Sequence, residues 1–235
     1  MKASNFKISI IIPALNEEKC MADLVSYLKS NSTSYNIHEI IIVDGGSSDA
    51  TVTVAKKNGA TVIYAAKGRA KQLNKGAQHA KGGILYFLHA DTLPPKNFDT
   101  SIIEAVRTGN PVGCFQMKFD SNSRFLSFFA WFTRINHYLC RGGDQSLFIT
   151  RDFFQKTNGY NENYTIYEDN EFIRRIYKMA RFKILPFSVT TSARRYEAHG
   201  EMRLQYHFGI IHFKNYLGAG PEQLYDYYQR KIALR

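Results

Sequence analysis

Four short apolar runs, Lys7–Pro13, Glu39–Val43, Thr61–Ala65 and Ile84–Leu88, are separated by stretches with helical spacing. Each reads as a strand; the nearly continuous apolar run Lys7–Pro13 predicts one buried on both faces, and Ile84–Leu88 a buried one. Their alternation with helices predicts βαβ units, right-handed crossovers and a largely parallel sheet, an α/β fold. Asn16 is the expected N-cap of the first helix, with Glu17 and Glu18 at its positive end and Met21, Leu24, Val25 and Leu28 on its buried face. Asn58-Gly59 reads as the stop of the second. The third passes through Ala70, Leu73, Gly76, Ala77 and Ala80, small residues that allow close packing on the sheet, and Gly82-Gly83 closes it.

The run at Ile84–Leu88 delivers His89 and Asp91 to its far end, where open α/β sheets bind ligands. Pro94 and Pro95 forbid the strand from continuing. Asp91 could supply half a divalent-cation site if a diphosphate supplied the other oxygens, or it could cap the helix expected to run to Arg107. Beyond Thr108-Gly109-Asn110-Pro111, Val112–Phe119 reads as a strand. Phe125–Tyr138 is dense in aromatics and is expected to be core, with a membrane-touching or acceptor-covering helix as the alternative. Cys140–Gln145 is a glycine-marked loop before a strand at Ser146–Thr150, and Arg151–Thr157 a helix. Glu168, Asp169 and Glu171 crowd a helix N-terminus, more acid than capping needs. Lys183–Thr191 is a further strand, Ser192–Gly200 shows no regular pattern, and Leu204–Leu217 is a helix. A last helix opens at Pro221, with Leu224, Tyr225, Tyr228 and Ile232 on one face and a basic end. Docking on the domain is its default role, lying on an anionic membrane the alternative.

The 235 residues suffice for one large domain or two small ones. Three dispersed cysteines suit reduced thiols, and no secretory leader follows Met1. Ile8–Leu15 and Phe125–Phe132 are too short to span a bilayer. The cysteine pattern makes the cytoplasm the expected location. A net charge of +11 without a dense Lys/Arg block speaks against a nucleic-acid arm and leaves phosphorylated ligands, anionic lipid or simple solubility. Neither a P-loop nor a dinucleotide fingerprint is present.

Ile11-Ile12-Pro13-Ala14-Leu15-Asn16-Glu17-Glu18, Ile41-Ile42-Val43-Asp44-Gly45-Gly46-Ser47-Ser48-Asp49, Gly68-Arg69-Ala70-x-Gln72-Leu73-Asn74-x-Gly76-Ala77, His89-Ala90-Asp91-Thr92 and Glu168-Asp169 follow in that order. Together they resemble the family 2 glycosyltransferases of the GT-A fold, over Ile8 to about Ala180. The His-Ala-Asp-Thr wording is similar to a compact, single-domain bacterial branch. The resemblance implies a GT-A domain over 1–203, with a nucleotide-binding half at about 1–95 and an acceptor half at about 96–203; residues 204–235 are expected to be a helical extension packed on it. It implies transfer from a nucleotide-diphospho-sugar, usually a UDP-sugar, to a glycan or lipid-linked acceptor hydroxyl, with inversion and with Mn2+ or Mg2+. The inner face of the membrane is the place where a lipid-linked acceptor would be met. Pro13, Ala14, Asn16 and Glu17 or Glu18 would line the nucleotide pocket, and Asp44 would meet the base. Gly68, Arg69 and Asn74, helped by Lys67 or Gln72, would contact nucleotide or diphosphate. His89 and Ala90 flank Asp91, the implied metal ligand, with His199 as a further metal or phosphate contact and Arg194 or Arg195 as a diphosphate clamp. Asp169 would be the general base, Glu168 would position it, and Asp144 and Gln145 would contact acceptor.

His89 departs from the family pattern, which has an acidic residue there; an imidazole suits Mn2+ better than Mg2+, and it could instead bond ribose or pack. The competing readings are a non-catalytic nucleotide-sugar or partner-binding domain and a sugar nucleotidyltransferase. The acidic turn after the first strand speaks against the latter, and the joint presence of Asp44, Asp91 and Asp169 against the former.

Overall fold

The computed structural model describes residues 6–233; residues 1–5 and the basic end at Arg235, on which part of the expectations fell, lie outside it. In chain order the elements are β1 (Ile8–Ala14), α1 (Glu18–Ser30), β2 (Ile37–Asp44), α2 (Thr51–Lys57), β3 (Thr61–Tyr64), α3 (Arg69–His79), β4 (Ile84–Phe87), β5 (Thr92–Leu93), α4 (Phe98–Arg107), β6 (Val112–Phe119) and α5 (Arg124–Trp131). They continue with β7 (Leu147–Thr150), α6 (Arg151–Lys156), α7 (Glu168–Met179), β8 (Lys183–Thr191), α8 (Arg194–His199), α9 (Glu201–Tyr216) and α10 (Pro221–Tyr228).

The strands form one sheet in the order β3-β2-β1-β4-β7-β6-β8-β5. Pairs β1–β2, β2–β3, β1–β4 and β6–β8 are parallel, whereas β7 runs antiparallel to β4 and β6, and β5 antiparallel to β8. Burial on both faces holds for β1, for β4 and for the carboxyl half of β2, whereas β3, at the sheet edge, is half-buried to exposed, with Tyr64 59% exposed. Ile8, Ile10, Ile12, Ile40, Ile42 and Tyr86 face α1 and α4, while Ile11, Ile41, Val43, Leu85 and Phe87 face α3 and α7. A Cβ on Gly76 of α3 would overlap Ile11 Cγ2 and come within 3.0 Å of Val43 Cγ2, so only glycine lets this helix approach β1 and β2 so closely.

Several expectations change. Asn16 does not cap α1: Glu17 does, and Asn16 adopts φ +57° in the turn before it. The chain resumes strand pairing at Thr92–Leu93 before the prolines stop it, and α4 is capped by Asn97, so Asp91 caps nothing. Ser192–Gly200, expected to be irregular, contains α8. The aromatic segment is not core: in α5 only Leu126 and Ala130 are buried, while Phe128 is 59% and Trp131 53% exposed. Its rings pack edge-to-face on one another, Phe125 on Phe129 on Phe128 on Phe132. The apolar side of α10 is consumed by docking. Leu224 and the following Ile232 join Leu204 and Ile211 of α9 in a cluster that reaches Tyr164, Ile166 and Tyr167 ahead of α7.

Candidate active site

Two loops close the carboxyl ends of β1 and β2, and their polar side chains bind each other. Asn16 Oδ1 accepts the Ser48 N–H at 2.9 Å, Glu18 accepts from Ala50 N–H at 2.9 Å, and the Glu17 N–H donates to Thr51 Oγ1 at 2.8 Å. Asn16 and Glu18, expected on the nucleotide, therefore hold the loops together. Ala14 pairs in register with Asp44. Gln72 of α3 donates to Ala14 O at 2.9 Å and Val43 O at 2.8 Å, a buried latch between helix and both strand ends. Asp44 is buried; Oδ2 accepts the Gly46 and Ser47 N–H groups at 3.0 and 3.1 Å, leaving Oδ1 with a single longer bond at 3.3 Å.

Asn74 is a tether too. Its amide donates to Tyr160 O and Glu162 Oε1, each at 2.9 Å, and accepts from Tyr160 N–H at 2.9 Å, which joins α3 to the loop before α7. Arg69, at the start of α3, does not stand free for a diphosphate. Its Nη1 lies 3.1 Å from Glu168 Oε1 and 3.8 Å from Asp169 Oδ2.

From there a chain of charges crosses the site. His89 Nε2 is 3.9 Å from Asp169 Oδ2, and His89 Nδ1 is 3.2 Å from Asp144 Oδ1. Burial and Arg69 oppose a charge on His89, but the bond to Asp144 and the Asp144 and Asp169 carboxylates outweigh them and raise its pKa. For Asp144, burial is overcome by His89 and Arg69, and its pKa falls. Gly143 makes this contact physically available, since a Cβ there would overlap the Asp169 carboxylate and sit 2.9 Å from His89 Cε1. Gln145, by contrast, is buried; its amide oxygen accepts from Arg141 at 2.5 Å and from the Cys114 thiol of β6 at 3.4 Å, and its amide nitrogen donates to Cys140 O at 2.8 Å.

Glu168 is 1% exposed. Burial, and next the Asp169 carboxylate, push it up to about 7 against the pull of Arg69. An acid whose folded pKa is raised favours the fold while protonated, and that contribution is lost as pH rises towards the folded pKa. Wild type should therefore lose up to ~3 kcal/mol relative to Glu168→Gln between about pH 4.5 and about pH 7, read by urea denaturation of both proteins at the two ends of the window. Equal slopes for the two proteins would contradict this.

Asp91 stands on the other side of His89. Its carbonyl accepts the Ser192 N–H at 3.1 Å, next to the Thr92–Thr191 hydroxyl contact at 2.9 Å, so β8 fixes it. Arg194 Nη2 lies 3.0 Å from Asp91 Oδ2 and 2.6 Å from Glu17 Oε1, and Nη1 closes a bidentate grip on Glu17 at 2.9 Å. Arg195 is stacked over Phe208 and Tyr228, and only its charge reaches the site, where it helps lower the pKa of Asp144. Of the two arginines, Arg194 is the one at the site; its partnership with Glu17 across 177 residues left no local signal in the sequence. His199 ends α8 and has no hydrogen bond or ion pair among the described residues. No group of three His, Cys, Asp or Glu side chains among those residues could hold a metal alone. Asp91 is a hard oxygen donor facing a cation already, so the residues fit Mn2+ or Mg2+ only where a diphosphate supplies most of the remaining oxygens. His89 is committed to Asp144 and Asp169.

A family model described as glycosyl transferase family 2 matches residues 9–202. A glucosyl-3-phosphoglycerate synthase of Petrotoga mobilis is 33% identical over 96 residues, 36% of this chain and 30% of that protein. The chain thus matches under a third of that relative's length. Two solved structures share the fold. A mannosyltransferase from Pyrobaculum calidifontis in complex with GDP-Man and Mn2+ has TM-score 0.71 at 16% identity, over 94% of this chain and 69% of that one. S. aureus TarS residues 1–349 with UDP has TM-score 0.63 at 17% identity, over 79% and 60%. The α/β architecture is accordingly that of the GT-A glycosyltransferases, and this chain belongs to glycosyl transferase family 2.

Proposed function

We propose that the protein transfers a sugar from a nucleotide-diphospho-sugar to an acceptor hydroxyl with inversion at the anomeric carbon. Asp169 is the general base, positioned by Glu168 and Arg69. The observation that carries the reading is the pair of carboxylates at the sheet's ligand-binding edge, Asp91 held with Arg194 and Asp169 held with Arg69 and His89. Displacement at a sugar carbon needs cationic charge beside the leaving diphosphate and a carboxylate on the acceptor side. Arg194 and Asp91 stand for the first requirement and Asp169 for the second, with Asp144 on the acceptor side. A Mn2+ or Mg2+ ion would be held by Asp91, and when bound it offsets charge on the diphosphate. Asp44 Oδ1 is the group left to accept from a base; UDP-sugars are the first donors to test, since UDP and GDP-Man occupy the similar structures. The acceptor is a glycan or a lipid-linked hydroxyl.

The test is a thermal-shift panel of UDP, GDP, CDP, dTDP and their sugars, each with and without Mn2+, on wild type and Asp91→Asn. A ligand at about 100 times its dissociation constant stabilises by ~2.7 kcal/mol. For a chain of this size that is a rise of roughly 2–4 °C per kcal/mol. One nucleotide is expected to shift wild type with metal, and Asp91→Asn to lose the shift. A panel with no shift under any metal would remove the donor from the proposal.

A further inference from the structure

α9 is apolar on two sides. Leu204 and Ile211 point into the cluster shared with α10. On the opposite side Met202, Tyr206, Gly209, Phe213 and Tyr216 recur at alternating four- and three-residue spacing and so fall within an arc of about 80°. This seam is bare: Met202 is 75%, Tyr206 66%, Phe213 60% and Tyr216 77% exposed, and Leu217 beside it 67%. Single exposed apolar residues are ordinary, but a seam along a whole helix marks an interaction surface. It continues across a groove in which Tyr216 and His212 face Leu139, Asn170 and Arg174.

The charges around the seam are mostly positive; Glu171, which lies near Arg174 and Asn215, is already paired with Arg175 at 2.6 Å. Helical spacing puts Arg203 and Lys214 along one flank, where Arg203 donates to Lys231 O at 2.7 Å and Lys214 sits 5.4 Å from the Tyr227 ring centroid, contacts that leave both charges unneutralised; Arg174 stands across the groove on the other. No carboxylate occurs between Glu201 and Glu222, and Glu201 is bound to the Ser123 hydroxyl at 2.6 Å. We propose that this face of α9, with Leu139, docks on the surface of an anionic lipid bilayer, the helix lying in the interfacial plane. A second copy of the chain would bring the same cations against Arg203 and Lys214 with no carboxylate to meet them. Anionic headgroups meet them directly, and tyrosine rings suit the headgroup level. The groove also reaches Tyr167, the residue before Glu168 and Asp169, so a docked helix presents the base's end of α7 to the bilayer. The proposal deepens the lipid-linked reading of the acceptor.

The experiment is co-sedimentation of the full chain with vesicles of phosphatidylglycerol and phosphatidylcholine, or of phosphatidylcholine alone, with neither donor nor acceptor present. The anionic vesicles should carry the protein down and the neutral ones should not. Tyr206→Ser with Phe213→Ser should lower partitioning roughly tenfold. Arg203→Gln with Lys214→Gln should lower it and flatten its salt dependence. Tyr206 and Phe213 are exposed on α9, so the melting temperature of the Tyr206→Ser, Phe213→Ser variant should hold; Arg203 and Lys214 touch Lys231 and Tyr227, so that variant is compared at a temperature well below its own melting point. The nucleotide-induced shift of each variant reports separately on the transferase reading. Wild type left in the supernatant with anionic vesicles overturns the proposal, as does a double variant that sediments like wild type. So does sedimentation equilibrium showing a dimer that Tyr206→Ser with Phe213→Ser dissociates, which would assign the face to a second copy.

Discussion

Asp169→Asn should leave nucleotide-dependent stabilisation in place while lowering sugar transfer by about 10²–10⁴-fold, the range of a positioned general base. The substitution keeps the shape of a side chain wedged between Arg69 at 3.8 Å and His89 at 3.9 Å. What it removes is the carboxylate that the proposed mechanism uses to take the acceptor's proton. Because Arg69 retains Glu168 at 3.1 Å, the start of α3 stays tied to α7 and the donor side is not disturbed. Single-turnover product formation with saturating donor, alongside the thermal shift, separates chemistry from binding. Transfer within threefold of wild type would assign the base elsewhere.

The second large effect is expected at a residue with no reactive group. Gly143→Ala puts a methyl into the Asp169 carboxylate and 2.9 Å from His89 Cε1. Either the loop carrying Asp144 backs away or Asp169 turns, and displacement of a catalytic group by about 1 Å can cost about 10²-fold. The expectation is a fall of that size in kcat with the nucleotide-induced shift retained, measured on the same donor. An unchanged kcat would mean that the contact between this loop and Asp169 has no part in turnover.

How far the sequence led depended on whether a signal was local. β1 to β4 and the helices between them were readable because each strand is a continuous apolar run and each helix repeats at its own period. The carboxylates Asp44, Asp91 and Asp169 were readable by their places at element ends. Side-chain partners were not. Asn16, Glu18, Gln72 and Asn74 look like ligand contacts in a motif, yet three-dimensional pairing spends them on holding loops and helices together. The antiparallel insertion of β7 between β4 and β6 leaves no trace in any one segment. The aromatic run at α5 illustrates the opposite error. Its composition is that of a core, but burial depends on what lies opposite, and only Leu126 and Ala130 find a partner surface.

The position of β8 has a consequence for biosynthesis. β8 lies between β6 and β5, and Asp91 is secured by the backbone of Ser192. During synthesis the β1–β4 segment can collapse with α1 and α3 on local crossovers once it has left the ribosome. Asp91, though made with that segment, has no fixed place until β8 has been translated and threaded in beside it. The loops at the ends of β1 and β2 and the carboxylate of Asp91 thus mature at different times, and a nascent chain can be folded around the first well before the second has its place.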